Sequence, residues 1–174
     1  GEKNVAAEMV RRLKEAGLSV TVKHRLGVDR YDEAALYDFC AALIQAGVDG
    51  LIVHARIALS RGISPAQNRD IPPLDYAAVY RLKEHFPDLP VIINGGITAK
   101  EAVLKHLQKV DGVMLGRAVA RNPGMVRSWD SDYFGGEEQS DDGWSLSGDY
   151  LRKRHQAGRP AGILCRAVME WMHG

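Results

Sequence analysis

The stretch 51–76 reads LIVHARIALSRGISPAQNRDIPPLDY. It opens as a short apolar strand that ends on His54-Ala55-Arg56. A long loop with Gly62, Pro65, Pro72 and Pro73 follows, and Arg56, Arg61 and Arg69 all fall within the stretch. Cationic and imidazole groups at the C-terminal end of a strand, followed by a long loop, form the arrangement by which an α/β barrel handles a ligand.

The flanking sequence repeats the pattern. Upstream, Val5, Met9, Val10 and Leu13 recur at helical spacing from Asn4 to Ala16, with Gly17 as the C-cap. Val20-Thr21-Val22 reads as a strand running into Lys23-His24-Arg25, and a helix follows from Asp32 to Ala46. Downstream, Asp75 is the expected N-cap of a helix reaching Phe86, and Val91-Ile92-Ile93 is a strand ending in Asn94-Gly95-Gly96. Thr98 and Glu101 have the spacing of a capping box, which predicts a helix from Ala99 to about Lys109. Val113-Met114-Leu115 is a fourth strand, ending in Gly116-Arg117, and Arg121-Asn122-Pro123-Gly124 introduces a further short helix. Short apolar strands alternating with amphipathic helices mean parallel βαβ units, and four strands are half of an eight-stranded barrel. A doubly wound sheet would bring a Gly-x-Gly-x-x-Gly fingerprint after its first strand, and none is present. The chain opens in a helix with no strand before it, so it is expected to start within a domain.

The 174 residues are 45% apolar and 26% charged, with a formal net charge of +1. That is the balance of a globular domain with a core, and any nucleic-acid surface must come from local clustering. Cys40 and Cys165 lie far apart without Cys-x-x-Cys, which excludes a zinc motif and a disulfide scaffold and suits a reducing cytoplasm. No apolar run is long enough to span a membrane. From 129 to 149 the sequence is acidic, Gly/Ser-rich and aperiodic, and reads as a linker or loop. Residues 150–174 are again helical in pattern and read as the start of a helical appendage.

All four strands end on polar groups, which a parallel barrel gathers on one rim. Each group alone has a bland explanation, a solvated loop or a tight turn; four of four are harder to assign to chance. Asn94-Gly95-Gly96 before a helix and Gly116-Arg117 after the next strand have a specific reading. Glycines let backbone N–H groups approach an anion, and an arginine adds a bidentate donor. Barrels place such a phosphate cup after their last two strands, so the strands here count as fifth to eighth. A phosphorylated cofactor or substrate is expected. His54 would add a donor; as a general base it has no carboxylate partner nearby in sequence. The charge of Lys23 suits an electron-rich ring such as the N1/O2 edge of a reduced flavin.

VTVKHRLGVD (20–29), IVHARIALSRGISPAQNRDIPPLDY (52–76), INGGI (93–97) and DGVMLGRAVARNPG (111–124), in that order, resemble the tRNA-dihydrouridine synthases, and SPAQNRDIPPLDY is most like the DusA subgroup. The resemblance covers about residues 1–128 and extends weakly through 162–174. It implies the C-terminal half (strands 5–8) of an FMN-bearing (β/α)8 TIM barrel over 1–128, then the start of a helical tRNA-binding domain at 150–174. The implied activity is reduction of a D-loop uridine, at positions 20/20a, to 5,6-dihydrouridine, with NADPH reducing the flavin and a cysteine protonating C5. By position, Lys23, His54, Asn94, Gly95, Gly96, Gly116 and Arg117 match the family's FMN contacts, and Arg69 and Arg166 match tRNA contacts.

The pattern departs in three ways. The donor cysteine of the family lies in an Asn-x-Gly-Cys-Pro segment after the fourth strand, upstream of the part matched here; neither Cys40 nor Cys165 substitutes for it, so no catalytic residue and no metal ligand is assigned. Ile57 and Ala66 stand where many relatives carry basic residues. The helical domain is present only in its first part. The chain alone is expected to be inactive and to self-associate, the full-length enzyme to be a cytoplasmic monomer. Two other readings stay open: an FMN barrel that reduces a free pyrimidine, and a catalytically silent RNA-binding module keeping Arg61, Arg69 and Arg152-Lys153-Arg154.

Overall fold

The computed structural model describes residues 2–62, 64 and 67–126 and the single positions 129, 131, 135 and 156, the side chains of Glu2, Arg69 and Pro123 excepted. The chain divides into two compact units, Gly1–Leu115 and Gly116–Gly174.

The first unit alternates helix and strand: α1 (Glu2–Glu15), β1 (Thr21–Arg25), α2 (Glu33–Gln45), β2 (Gly50–His54), a 3-10 turn (Gln67–Arg69), α3 (Tyr76–His85), β3 (Val91–Asn94), α4 (Lys100–Leu107) and β4 (Gly112–Met114). The strands form one parallel sheet in the order β1-β2-β3-β4. This is the α/β alternation expected from the sequence.

The caps explain most boundaries. Asp32 and Asp75 accept hydrogen bonds from the N–H groups of Ala35 and Ala78 and so start α2 and α3. Gly17 and Gly47 take positive φ after α1 and α2, ending both helices. The capping box at Thr98 does not form. The N-cap of α4 is Ala99, which has no side-chain acceptor, and this one-residue shift puts Glu101 at the second helical position instead of the third. β1 also starts later than the apolar run implies and takes in Lys23, His24 and Arg25.

Side chains alternate across the sheet. Leu51, Val53, Val91 and Ile93 point into the helix layer and are fully buried with Leu43, Val79 and Leu82. Each of these side chains contributes about 1.5–3 kcal/mol when fully buried. At the N-terminal ends of the strands two aspartates lock the layers. Asp49 pairs with Lys14 at 2.8 Å and accepts from the Val20 N–H, while Asp111 pairs with Lys83 at 2.8 Å and accepts from the Val91 N–H. Those contacts draw both carboxyls below the usual aspartate range.

On α1 the periodicity overstates burial. Val10 and Ala7 are in the core, whereas Val5, Met9 and Leu13 are 62%, 61% and 42% exposed. In the second unit, α5 (Arg117–Arg121) begins immediately after Gly116 and is followed by a 3-10 turn at Pro123–Val126. The expected helix at Arg121–Gly124 is thus this turn, and α5 precedes it. The linker at 129–149 and the helical appendage at 150–174, with Cys165 and Arg166, lie outside the described residues but for four single positions. Among the described residues no helix is long and apolar enough to cross a membrane, and no cluster of His, Cys, Asp or Glu could hold a metal.

Candidate functional site

The sheet face opposite the helix layer carries the site. Register places Arg25, His54, Asn94 and Met114 side by side across the four strand ends. One step below them lie Lys23, Ile52, Ile92 and Gly112. Neighbouring strands are about 4.8 Å apart, so the two rows form one patch, polar at the rim except for Met114 and apolar below it except for Lys23. Lys23, His54 and Asn94, singled out in the sequence, therefore share one face. Lys-His-Arg does not act as one loop. Lys23 and Arg25 face this side, and His24 turns to the helix layer, where its ring meets Phe39 edge-on and its Nε2 lies 3.9 Å from the Cys40 Sγ.

Lys23 takes part in none of the ion pairs of the described residues. Partial burial and the nearby Arg25 charge lower its pKa, the signature of a cation held without a counter-ion. Cys40 is fully buried on α2, and burial pushes its thiol up to about 12. A thiol so placed is a core residue, as expected from its position.

At the end of β3 the backbone turns through two left-handed residues, Gly95 at φ 120° and Gly96 at φ 66°. A Cβ on Gly95 would lie 2.7 Å from the His54 Cδ2 and 2.9 Å from the Leu74 Cδ2; one on Gly96 would lie 2.5 Å from the Leu74 Cδ1. Only glycine allows the His54 ring and Leu74 to close on this turn. Asn94 donates from Nδ2 to the Met114 carbonyl at 2.7 Å, and Tyr76 donates from its hydroxyl to the Gly95 carbonyl at 2.7 Å. Gly116 caps α5 and Arg117 is its first residue, both in the second unit.

The long loop after β2 is strapped down by two arginines that sequence reasoning did not assign. Arg25 Nη1 donates to the Ile57 carbonyl at 2.9 Å and the Asn68 carbonyl at 2.7 Å. Arg56 Nη1 donates to the carbonyls of Asp70 and Pro72. Asn68 adds a reciprocal pair with the Leu59 backbone at 3.0 and 2.6 Å. Asp29, a non-glycine residue at φ 61°, accepts from the Ser60 N–H and hydroxyl, which ties the loop to the one after β1. Arg69 sits in the 3-10 turn of this loop, and its side chain is outside the described set. The His-Ala-Arg and Lys-His-Arg triplets contain both arginines but no signal for the strap, and the guanidinium groups act on the backbone.

A Cβ-free cradle of backbone beside an imidazole, on a sheet face that also carries Lys23, suits an anionic, phosphorylated ligand. The family model described as "Dihydrouridine synthase (Dus)" matches residues 1–145. The chain is similar to the tRNA-dihydrouridine(20/20a) synthase of Pseudomonas aeruginosa, 45% identical over 79% of this chain and 42% of the relative. It is also similar to those of Pseudomonas syringae, 46% over 75% and 40%, and Salmonella typhi, 41% over 82% and 44%. The chain thus spans less than half the length of these relatives. A solved structure, the Amycolatopsis orientalis BexX/CysO complex, matches with a TM-score of 0.46 and 20% identity over 80% of this chain and 55% of that chain, too distant to bear on the site. With the family model covering most of its length and these relatives above 40% identity, the chain belongs to the dihydrouridine synthase family, among its DusA-like members.

Proposed function

We propose that this chain supplies strands five to eight of an FMN-binding (β/α)8 barrel in a cytoplasmic, NADPH-using tRNA-dihydrouridine synthase that acts on D-loop uridines 20 and 20a. The observation that carries the reading is the open sheet face, where Lys23, His54 and Asn94 converge beside the Gly95–Gly96 cradle. Exposed Val5, Met9 and Leu13 on α1 fit a sheet and helix layer that continue into further barrel elements.

Each residue has a physical role in this reading. Gly95 and Gly96 admit the phosphate against the backbone, with Gly116 and Arg117 assigned to the same group from their place after β4. His54, held against Gly95, donates to the phosphate side of the ligand. Lys23 brings an uncompensated charge to the electron-rich edge of the ring. When bound, FMN supplies hydride transfer to C6 of the uridine after reduction by NADPH. Protonation of C5 is assigned to neither cysteine of this chain: Cys40 is buried in the helix layer, and Cys165 falls in the appendage. Arg69, on the strapped loop, and Arg166 are assigned to tRNA.

The full-length protein purified with a yellow chromophore, and with tRNA uridine as electron acceptor in preference to free uracil or orotate, is the expected result. A colourless protein that still binds tRNA would point to a silent RNA-binding module, and turnover of free pyrimidine alone to a different flavin barrel. Arg117→Ala should weaken FMN by about 2–3 kcal/mol, the size of a charge-assisted contact. Unchanged flavin retention removes Arg117 from the site.

A further inference from the structure

We infer that Tyr76 is a positioning residue for the anion cradle: by holding the Gly95 carbonyl it aims the Gly96 N–H at the phosphate of the bound ligand. The inference rests on the flavin-phosphate reading above and deepens it. Gly95 C=O and Gly96 N–H belong to one planar trans peptide, so they point in opposite directions. The Tyr76 hydroxyl takes the carbonyl at 2.7 Å, and the Gly96 N–H therefore points away from Tyr76. Gly96 is exposed, and among the described residues its N–H donates to no protein acceptor. Such a donor, on a turn from which a side chain is excluded, is built for something other than the fold.

Tyr76 is itself fixed. It opens α3 directly after the N-cap Asp75, whose own N–H donates to the Ala55 carbonyl at 2.8 Å. Its ring meets His106 edge-on at 4.5 Å between centroids, and the His106 Nδ1 is hydrogen-bonded to the Tyr80 hydroxyl at 2.7 Å. His106 is 5% exposed, a buried polar group whose hydrogen bond and ring contact hold Tyr76 from behind. The peptide orientation thus depends on a hydroxyl whose ring is held by these contacts. Without the hydroxyl, two glycines in sequence leave this peptide free to flip.

The test compares FMN with riboflavin, which has the same ring and no phosphate, in the full-length protein and its Tyr76→Phe variant. Phenylalanine keeps the ring contact with His106 and removes only the donor. FMN binding should weaken about five- to tenfold while riboflavin binding stays within twofold. Equal weakening of both ligands, or no change in either, overturns the inference. If the unsubstituted protein binds FMN no more tightly than riboflavin, the phosphate cup itself is wrong and the inference falls with it. A second measurement needs no variant: the Gly96 amide proton should move downfield with FMN and not with riboflavin. Identical Gly96 shifts with the two ligands also overturn it.

Discussion

Replacing Gly95 with alanine tests the geometry of the cradle most directly, because two separate costs can be worked out in advance. The backbone cost comes from φ 120°, well outside the left-handed α region and sparsely populated by L-residues, at a penalty of about 1–3 kcal/mol. The steric cost comes from a Cβ 2.7 Å from the His54 Cδ2 and 2.9 Å from its Nε2 and from the Leu74 Cδ2. Carbon contacts are most favourable at about 3.5–4.0 Å, so the imidazole must move by roughly 1 Å. Overpacking of this kind costs about 1–3 kcal/mol. Gly95→Ala should therefore destabilise the protein by roughly 2–6 kcal/mol and displace His54 from the open face. Gly62→Ala is the control, since Gly62 also has positive φ (82°) but no heavy atom of the described residues within 4 Å of a built Cβ; it should cost only a backbone part, about 1–2 kcal/mol. Urea unfolding midpoints read the first effect, and quenching of flavin fluorescence reads the second. Gly95→Ala no less stable than Gly62→Ala, with flavin affinity intact, would refute the placement of His54 against the turn.

Three further expectations follow from the same contacts. Arg56→Ala removes the donor to the carbonyls of Asp70 and Pro72, so loop cleavage by trypsin at Arg61 or Arg69 should accelerate several-fold while flavin affinity holds; unchanged cleavage would show that the strap does not restrain the loop. Cys40, with its thiol pushed up to about 12, should resist iodoacetamide at pH 8 in the native protein and react on unfolding, as read by mass mapping of its peptide; rapid native alkylation would contradict its burial. His24 has a pKa lowered by burial, so it folds as the neutral ring. Its contribution is complete above the unfolded value of about 6.5 and is lost as pH falls from there towards the lower folded value. His24→Leu should accordingly lose less of its urea midpoint between pH 7.5 and 5.5 than the unsubstituted protein; an equal loss would assign that pH dependence elsewhere.

The sequence made the sheet legible and the site only partly so, and the reasons differ from residue to residue. Leu51, Val53, Val91 and Ile93 alternate with residues of the other face over short runs bounded by Gly and Pro, a local signal that needs no tertiary knowledge. Lys23, His54, Asn94 and the glycine pair stood out because chemistry-bearing types recur at strand ends, which a parallel sheet must bring to one edge. The failures arise where a residue's role depends on a partner distant in sequence. Arg25 and Arg56 stand in polar strand-end triplets that give no hint of a strap, yet their guanidinium groups satisfy carbonyls up to 43 residues away. Thr98 and Glu101 have the right spacing for a cap, but the left-handed pair at Gly95 and Gly96 precedes a helix that starts one residue too late for it.

Tyr76 shows why the second layer of a site is harder to read than the first. In the sequence it is the third residue of Leu74-Asp75-Tyr76, and its aromatic ring at a helix start is explained by packing alone. What separates it from a core tyrosine is the single acceptor its hydroxyl meets, the carbonyl of Gly95, 19 residues onward and just past the end of the next strand. Leu74, two residues earlier, closes on the same turn from its side chain. The segment that ends the long loop therefore shapes the floor of the cradle, and the loop between it and His54 is held by Arg25 and Arg56. The three side chains that close on the Gly95–Gly96 turn, His54, Leu74 and Tyr76, thus stand at the two ends of one covalent stretch, 51–76, with the strapped loop between them. Leu74 and Tyr76 are therefore where the end of the loop meets the turn at Gly95 and Gly96, one through its side-chain methyls and the other through its hydroxyl.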